Sequence, residues 1–195
     1  MYKTVNSTRE SILNVATRLF GRFGFHKTSM DEIAKIARKA KGSLYYHFAS
    51  KEDLFREVIV TEIGNLKNQL SIIVNNPNLS AFEKLKRYLI KRMEVLHTAT
   101  NYHETIKADF FEHFHFVDDI RAELDVWETE NFKKIILQGI DSGEFILDVE
   151  ADVTADVFLM LLKGLEIPFF LQNKYERYAP HFDGLINVLR KALSN

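Results

Sequence analysis

The sequence predicts an all-α protein. Pro occurs 3 times and Gly 8 times in 195 residues, too seldom for a turn-rich β fold. Apolar residues recur at steps of three and four along most of the chain, the period of an amphipathic helix. Several Ser residues stand three positions before Glu or Asp, which is the spacing of a helix capping box: Ser7, Ser29, Ser50 and Ser80.

The N-terminal quarter is predicted to contain three helices followed by a long fourth. Ile12, Ala16 and Phe20 form one apolar stripe over residues 8–23, and Gly24 fits the C-terminal cap of that helix. The helices that follow are predicted over residues 30–37, over residues 42–48, and from Ser50 to a loop at 75–78.

Helices are also predicted in the rest of the chain, over residues 80–100, 103–114, 118–141, 152–173 and 179–193. Pro168 lies inside the fourth of these. Because Pro lacks a backbone N–H and clashes one turn back, we expect it to kink that helix.

Charge is divided unevenly along the chain. Residues 1–51 hold ten Lys/Arg and three Asp/Glu, a net charge of +7, whereas residues 52–195 carry −8. A basic N-terminal part on an acidic body indicates that the first part binds a polyanion. The alternative is a chance cluster on a solvated face.

Other classes of protein are disfavoured. Cys is absent, which excludes disulfides and thiolate metal sites. The longest apolar run, Val157–Leu162, is far too short for a membrane span, and the N-terminus lacks an apolar signal region. We expect a cytoplasmic protein, because the absence of Cys fits a reducing compartment. We also expect no enzymatic activity and no cofactor, because no glycine-rich phosphate loop, dinucleotide fingerprint or nucleophile elbow is present.

The two short helices, joined by a tight turn and resting on the first helix, fit the helix-turn-helix plan. With Leu44 and Phe48 buried, the second short helix directs polar side chains outward: Lys41, Ser43, Tyr46 and His47. Such a helix can enter the major groove of DNA. The alternative is an ordinary three-helix cap with a basic solvated face.

Three segments carry a family resemblance: TSMDEIA at 28–34, KGSLYYHF at 41–48 and KEDL at 51–54. They closely resemble the signature of the TetR family of bacterial repressors, over residues 8–60, and QGIDSGEF at 138–145 is similar to a segment common in these proteins. The resemblance implies a nine-helix fold, a homodimer, a palindromic double-stranded DNA operator and release by a small-molecule effector. It also implies a helix-turn-helix domain at 1–50 and an effector-binding and dimerisation domain at 51–195.

Carried over residue by residue, the family's DNA contacts fall on Thr28, Lys41, Gly42, Ser43, Tyr45, Tyr46, His47 and Lys51. The turn departs from the family pattern, because Arg38, Lys39 and Ala40 replace Gly, an apolar residue, and Ser or Thr. We expect a less favourable turn and no side-chain cap on the second short helix. The added cations, Lys39 among them, predict DNA binding with a steep salt dependence.

Aromatic residues are frequent in the C-terminal part. The resemblance implies an effector cavity there, and we expect an apolar or amphipathic ligand bounded by some of these side chains: Tyr88, Phe110, Phe111, Phe114, Trp127 and Phe158. The alternative is that they only fill the core.

The last two predicted helices carry apolar stripes that could pair two copies of the chain as a four-helix bundle. The residues expected at this interface are Val157, Leu161, Leu165, Leu185 and Leu189. The alternative is burial within one chain.

Two further alternatives stay open. Histidine and acidic residues cluster at 103–115, but we expect no metal there, because surface or hydrogen-bonded histidines explain the cluster more simply. The chain could also be a DNA-binding regulator without a small-molecule effector, or a helical carrier or enzyme that has lost DNA binding.

Overall fold

The computed structural model describes the backbone of residues 2–111 and 115–193, and the side chains of residues 7–108, 115–188, 190 and 191. This part of the chain contains no strand, so the predicted all-α class is confirmed. Within these described ranges, nine helices have seven residues or more, and α9 is a single turn. The helices are α1 Tyr2–Phe23, α2 Met30–Ile36, α3 Lys41–His47, α4 Lys51–Val74, α5 Ala81–Thr98, α6 Thr100–Phe111, α7 Asp118–Asp141, α8 Ala151–Glu166, α9 Tyr175–Tyr178 and α10 Phe182–Leu193.

Three of the four predicted capping residues lie at helix starts. The hydroxyls of Ser29, Ser50 and Ser80 accept hydrogen bonds from the backbone N–H three residues later, at 3.2, 3.0 and 3.3 Å. Gly24, with a φ of 83°, ends α1. The prediction for Ser7 is wrong, because α1 already begins at Tyr2 and Ser7 lies inside the helix.

The region around Pro168 differs from the kinked helix that the sequence predicts over 152–173. α8 ends at Glu166, and the chain continues as one π-helical turn, Ile167–Leu171. Gln172 N–H donates to the carbonyl of Ile167 at 3.1 Å. Because Pro168 has no N–H to continue the α-helical hydrogen-bond pattern, the α-helix ends here.

The chain divides into two compact units, and the first comprises Met1–Gly64 and Ala99–Ile120. In its core, the Phe20 ring lies 5.1 Å from the Phe55 ring and 5.9 Å from the Phe25 ring. α1 and α6 approach closely, since a Cβ added at Gly21 would lie 2.4 Å from Thr100 Oγ1. The predicted division after residue 50 concerns function and stays a prediction.

A half-buried carboxylate joins three helices of the first unit. Glu62, on α4, accepts from Asn101 Nδ2 at 2.7 Å and from Tyr102 N–H at 2.8 Å, at the start of α6. Asn101 Nδ2 also donates to the Thr17 carbonyl of α1 at 3.2 Å. Burial raises the pKa of Glu62, although these donors oppose the shift.

The second unit comprises Asn65–Thr98 and Arg121–Asn195. In this unit, residues 138–145 link the end of α7 to the start of α5 through hydrogen bonds. Glu144 accepts from the N–H groups of Ala81 and Phe82, both at 3.1 Å. Gly139 is required at its position, because a Cβ there would lie 2.1 Å from the Phe145 ring. The segment therefore holds the first turn of α5 in place.

Candidate DNA-binding surface and apolar groove

A complete capping box begins α2. Ser29 Oγ accepts from Glu32 N–H at 3.2 Å, and Glu32 Oε2 accepts from Ser29 N–H at 3.0 Å. These bonds to Ser29 lower the pKa of Glu32. The first helix of the predicted motif thus has a well-defined start.

The turn between α2 and α3 shows both expected consequences of its unusual sequence. Arg38 has a φ of 55°, in the left-handed region that favours Gly. Lys39 N–H donates to the Ala34 carbonyl at 3.0 Å. Ala40 is the N-cap of α3 and makes no side-chain hydrogen bond to it. The turn therefore forms without the residues that usually favour it.

α3 has one buried face and one exposed face. Leu44 and Phe48 are buried, as the sequence predicts. Tyr46 is 79% exposed and Tyr45 is 43% exposed. Gly42 is also exposed, and a Cβ added to it would meet nothing within 4 Å. The exposed face is therefore free to contact a large ligand.

Cations and polar groups border this exposed face. Lys41 Nζ lies 2.8 Å from Asp31 Oδ1 of α2, and the hydrogen bond and charge of Asp31 raise the pKa of Lys41. His47 is half-buried, with its ring 5.1 Å from the Tyr46 ring, and Ser43 is also half-buried. α3 thus brings together six of the predicted DNA contacts: Lys41, Gly42, Ser43, Tyr45, Tyr46 and His47.

The remaining predicted contacts are engaged inside the first unit. Thr28 is buried, and its hydroxyl donates to the Gly24 carbonyl at 2.9 Å. Lys51 Nζ donates to the Phe25 carbonyl at 3.1 Å and lies 4.3 Å from the centre of the Phe25 ring. Lys39 Nζ donates to Thr8 Oγ1 at 3.3 Å. DNA contact by these three residues stays a prediction.

The second unit contains an apolar groove of about 350 Å³. It lies among α5, α8, the π-helical turn and α10. All of its lining side chains are apolar: Leu89, Met93, Phe158, Leu161, Leu162, Leu165, Phe169, Phe182, Leu185 and Ile186. A groove of this kind can take a small apolar molecule.

The structure separates the residues predicted for the ligand pocket. Phe158 lines the groove, and its ring lies 6.3 Å from that of Phe132. Tyr88 is buried, and its ring lies 4.5 Å from the ring of Phe132. Trp127 is half-buried and lies 5.9 Å from Lys67 Nζ. The side chains of Phe110, Phe111 and Phe114 lie outside the described residues.

Sequence reasoning missed a buried charged cluster in the second unit. Arg92 donates to Glu128 through Nε at 2.8 Å and Nη2 at 3.0 Å, and to Glu166 through Nη2 at 2.7 Å. Tyr88 Oη donates to Glu128 at 3.0 Å. Burial raises the pKa of Glu166, with Arg92 opposing the shift, and burial raises the pKa of Tyr88.

A signal for this cluster is present in the sequence. Arg92 lies three residues after Leu89 and four before Leu96, and Glu128 lies four residues from both Leu124 and Phe132. These charges therefore occupy buried positions of two helical stripes, where charged groups require partners.

An exposed aliphatic face covers parts of α8 and α10. Four of the five residues predicted for the dimer interface are exposed on it: Val157, Leu161, Leu165 and Leu185. The Leu189 side chain lies outside the described residues. These four side chains are therefore not buried within the single chain, and their place in a dimer interface stays a prediction.

Within residues 2–111 and 115–193, no helix is long and apolar enough to cross a membrane. The described residues also contain no group of three His, Asp or Glu side chains that could hold a metal ion. Of the predicted histidine cluster, Asp109, Glu112 and His113 have side chains outside the described residues.

Comparison with known proteins identifies the class of the chain as a helix-turn-helix transcriptional regulator. The family model described as "Bacterial regulatory proteins, tetR family" matches residues 12–58, which include α2 and α3. The HTH-type transcriptional regulator YhgD of Bacillus subtilis (strain 168) is 31% identical over 161 residues, covering 80% of this chain and 81% of the relative.

Similarity also extends over nearly the whole chain. The HTH-type transcriptional repressor DhaR of Mycobacterium sp. (strain GP1) is 24% identical over 190 residues, covering 95% of this chain and 91% of the relative. A transcriptional regulator from Cytophaga hutchinsonii ATCC 33406 has a similar structure, with a TM-score of 0.76, 25% identity, and coverage of 95% of this chain and 98% of that one. The chain belongs to the TetR family, and its all-α fold is that of the family.

Proposed function

We propose that this TetR-family regulator is a repressor that binds a palindromic operator as a homodimer and is released by a small apolar or amphipathic effector. The observation that carries the DNA-binding part is the two-faced α3, where Tyr46 is 79% exposed while Leu44 and Phe48 are buried. A helix held by one apolar face can present its other face to the major groove. DhaR, one of its relatives, is described as a repressor.

The contacts to DNA divide into two groups. Lys41, Tyr46 and His47 extend from α3 toward base edges and phosphates, and Gly42 lets the backbone approach. Lys51 and Lys39 each donate one observed hydrogen bond within the protein. Since an ammonium has three donors, each of them can also bind a phosphate. The proposed contribution of Thr28 to DNA binding comes from its position just before the start of α2.

The proposed dimer forms through the exposed aliphatic face of α8 and α10. Two copies of this face can pair around a two-fold axis as a four-helix bundle. A two-fold dimer also presents two copies of α3 to a palindromic site.

The apolar groove is the proposed effector site. Its volume, about 350 Å³, lies within the range of small-molecule sites. Its lining of aliphatic and aromatic side chains fits an apolar or amphipathic compound. Because the proposed target is DNA, we propose that the protein acts in the cytoplasm. The second candidate function, a regulator without an effector, predicts that no apolar compound changes DNA binding.

The test is fluorescence anisotropy with labelled duplexes from the DNA flanking the protein's own gene. We expect binding that weakens steeply as salt rises, and release when neutral apolar compounds such as decanol are added. Binding to a duplex without release by any compound would favour the regulator without an effector. Absence of binding to every duplex at low salt would contradict both and favour the carrier or enzyme.

A further inference from the structure

A small hollow lies between α1 and α2 in the first unit. Its volume is about 220 Å³, and six side chains line it: Val15, Arg18, Leu19, Arg22, Phe23 and Ile36. Phe23 and Ile36 are 49% and 51% exposed, so two large apolar side chains lie half in water at its edge. Exposed apolar side chains that lie together, beside charged ones, mark a candidate contact surface.

The hollow lies on a different side of α2 from α3. Asp31 of α2 binds Lys41 of α3, with Oδ1 and Nζ 2.8 Å apart, so the Asp31 side of α2 faces α3. Ile36 follows five residues later, which places it roughly 140° further round the helix. None of the six lining residues belongs to α3. The hollow is therefore separate from the surface proposed to bind DNA.

Two cations border the hollow without carboxylate partners. Arg18 and Arg22 are exposed, and neither makes an ion pair in the part of the chain that the structure describes. The Arg22 guanidinium lies 5.2 Å from the centre of the Phe23 ring. Among the described residues, no acidic side chain lines the hollow. A ligand that carries carboxylates beside an apolar group is complementary to this surface, because a guanidinium can bind a carboxylate through two N–H groups.

The size and chemistry of the hollow favour a protein segment over other ligands. Small-molecule sites usually have volumes of about 300–1,000 Å³, and this hollow is smaller. It suits a single large apolar side chain, the kind of group that anchors protein interfaces. Duplex DNA would satisfy the two arginines, but its major groove offers Phe23 and Ile36 little apolar surface beyond the thymine methyl group.

We propose that the hollow between α1 and α2 is a docking site for an acidic segment of another protein. One large apolar side chain of that segment packs against Phe23 and Ile36, while its Asp or Glu side chains bind Arg18 and Arg22. Such a segment brings a second protein to the DNA-binding unit without covering α3. The inference goes beyond the proposed repressor function and does not depend on it.

The probe for the test is a set of peptides selected from a random phage-displayed library. Peptides that bind the purified wild type but not Arg18→Glu are kept, synthesised with a fluorescent label and titrated by anisotropy. Arg22→Glu is the first variant. Arg177→Glu is its matched control, because Arg177 is also an exposed arginine and its guanidinium lies 5.4 Å from the centre of the following ring, that of Tyr178.

A second pair of variants tests the apolar contact without a change of charge. Ile36→Ser removes one apolar side chain beside the hollow. Ile72→Ser is its control, because Ile72 is 72% exposed on α4. Circular dichroism confirms the fold of each variant, and sedimentation gives its oligomeric state.

We expect the selected peptides to combine a large apolar residue with at least two Asp or Glu residues. Arg22→Glu should weaken their binding by at least about tenfold, and Ile36→Ser by about threefold or more. The two controls should stay within about twofold of wild type. Added duplex DNA should leave the peptide bound at about 0.15 M salt, where the charge of a separate DNA surface is screened.

Several results would overturn the inference. One is a selection that yields no peptide, or peptides without acidic residues. Another is peptide binding that Arg22→Glu and Ile36→Ser leave undiminished. Displacement of the peptide by duplex DNA would assign the two arginines to DNA, and a changed oligomeric state in Arg22→Glu would assign the hollow to a second copy of the chain. Anisotropy of a labelled duplex is recorded separately, so failure of the repressor function is distinguishable from failure of this docking site.

Discussion

Arg92 and Glu128 form a two-point ion pair in the interior of the second unit, with Nε and Nη2 of Arg92 at 2.8 and 3.0 Å from the two carboxylate oxygens. Both side chains are fully buried. The same Nη2 donates to Glu166 at 2.7 Å, so that one guanidinium joins α5, α7 and α8. Because charges buried in protein are stable only with partners, this cluster ties the three helices together.

Arg92→Met tests that role. It leaves the carboxylates of Glu128 and Glu166 buried without their guanidinium partner. Removal of one partner from a buried pair is expected to lower the free energy of unfolding by about 3–5 kcal/mol. Urea denaturation measures this loss in the free energy of unfolding. Lys91→Met is the control, because Lys91 is a half-exposed neighbour on the same helix, and its expected effect is within about 0.5 kcal/mol. Equal losses in the two variants would contradict the proposed role.

Glu144 gives a pH-dependent prediction. Partial burial opposes its ionisation, but hydrogen bonds from Phe82, Ala81, Ser80 and Ser142 outweigh burial and lower its pKa. A carboxylate with a lowered pKa stabilises the fold above its unfolded pKa, and this stabilisation is lost as pH falls through the folded value.

Glu144→Gln should therefore lower the free energy of unfolding by about 1 kcal/mol at neutral pH, the usual value of a helix N-cap. The difference from wild type should shrink once pH falls below about 4, because the wild-type carboxyl then takes up a proton. Urea denaturation from neutral pH to below pH 4 measures this difference in the free energy of unfolding. A difference that stays constant or grows toward acid would exclude the cap as its cause.

Arg38 combines backbone strain with a charge near the proposed DNA surface. Arg38→Gly removes the strain of the positive φ, which stabilises the fold by about 1–2 kcal/mol. Gly also makes the unfolded chain more flexible, and this entropy destabilises the fold by about 0.4–1 kcal/mol. A net stabilisation of about 0.5 kcal/mol is expected. Arg38→Ala, which keeps the strain, should not be stabilised.

If Arg38 binds a phosphate, both variants should lower the slope of log Kd against log salt by about 1. A slope unchanged in both variants would place Arg38 away from DNA.

Tyr46 and Leu44 lie two residues apart on α3 but face opposite sides. Tyr46→Ala should leave the free energy of unfolding within about 0.5 kcal/mol of wild type and weaken operator binding by about 1–3 kcal/mol. Leu44→Ala should instead destabilise the fold by about 2–5 kcal/mol, since Leu44 is fully buried. Denaturation and anisotropy on the same preparations separate the effects. Destabilisation by Tyr46→Ala equal to that by Leu44→Ala would contradict the two-faced helix.

Local signals in the sequence were sufficient for much of the fold. The capping residues Ser29, Ser50 and Ser80 lie at helix starts, and Gly24 ends α1, because these interactions connect residues only a few positions apart. The same argument failed at Ser7, where the chain before the Ser is itself helical.

Contacts between distant residues limited what could be predicted of the sites. Arg92 and Glu166 are 74 residues apart, and no local pattern pairs them. Thr28 and Lys51 have side chains suited to DNA, yet the fold directs the hydroxyl to Gly24 and the ammonium to Phe25. The periodicity of α8 identified an apolar stripe but not that part of it also lines a groove.

The central claim is that two copies of α3 enter successive major grooves of an operator. Hydroxyl-radical footprinting on the DNA flanking the protein's own gene tests it most directly, with Lys41→Ala as the variant and Lys134→Ala, an equal loss of charge on α7, as the control. We expect two protected half-sites with centres about one duplex turn apart, roughly 34–36 Å. Protection should be lost in Lys41→Ala and retained in Lys134→Ala. A single protected patch, or protection that Lys41→Ala leaves intact, would contradict the account.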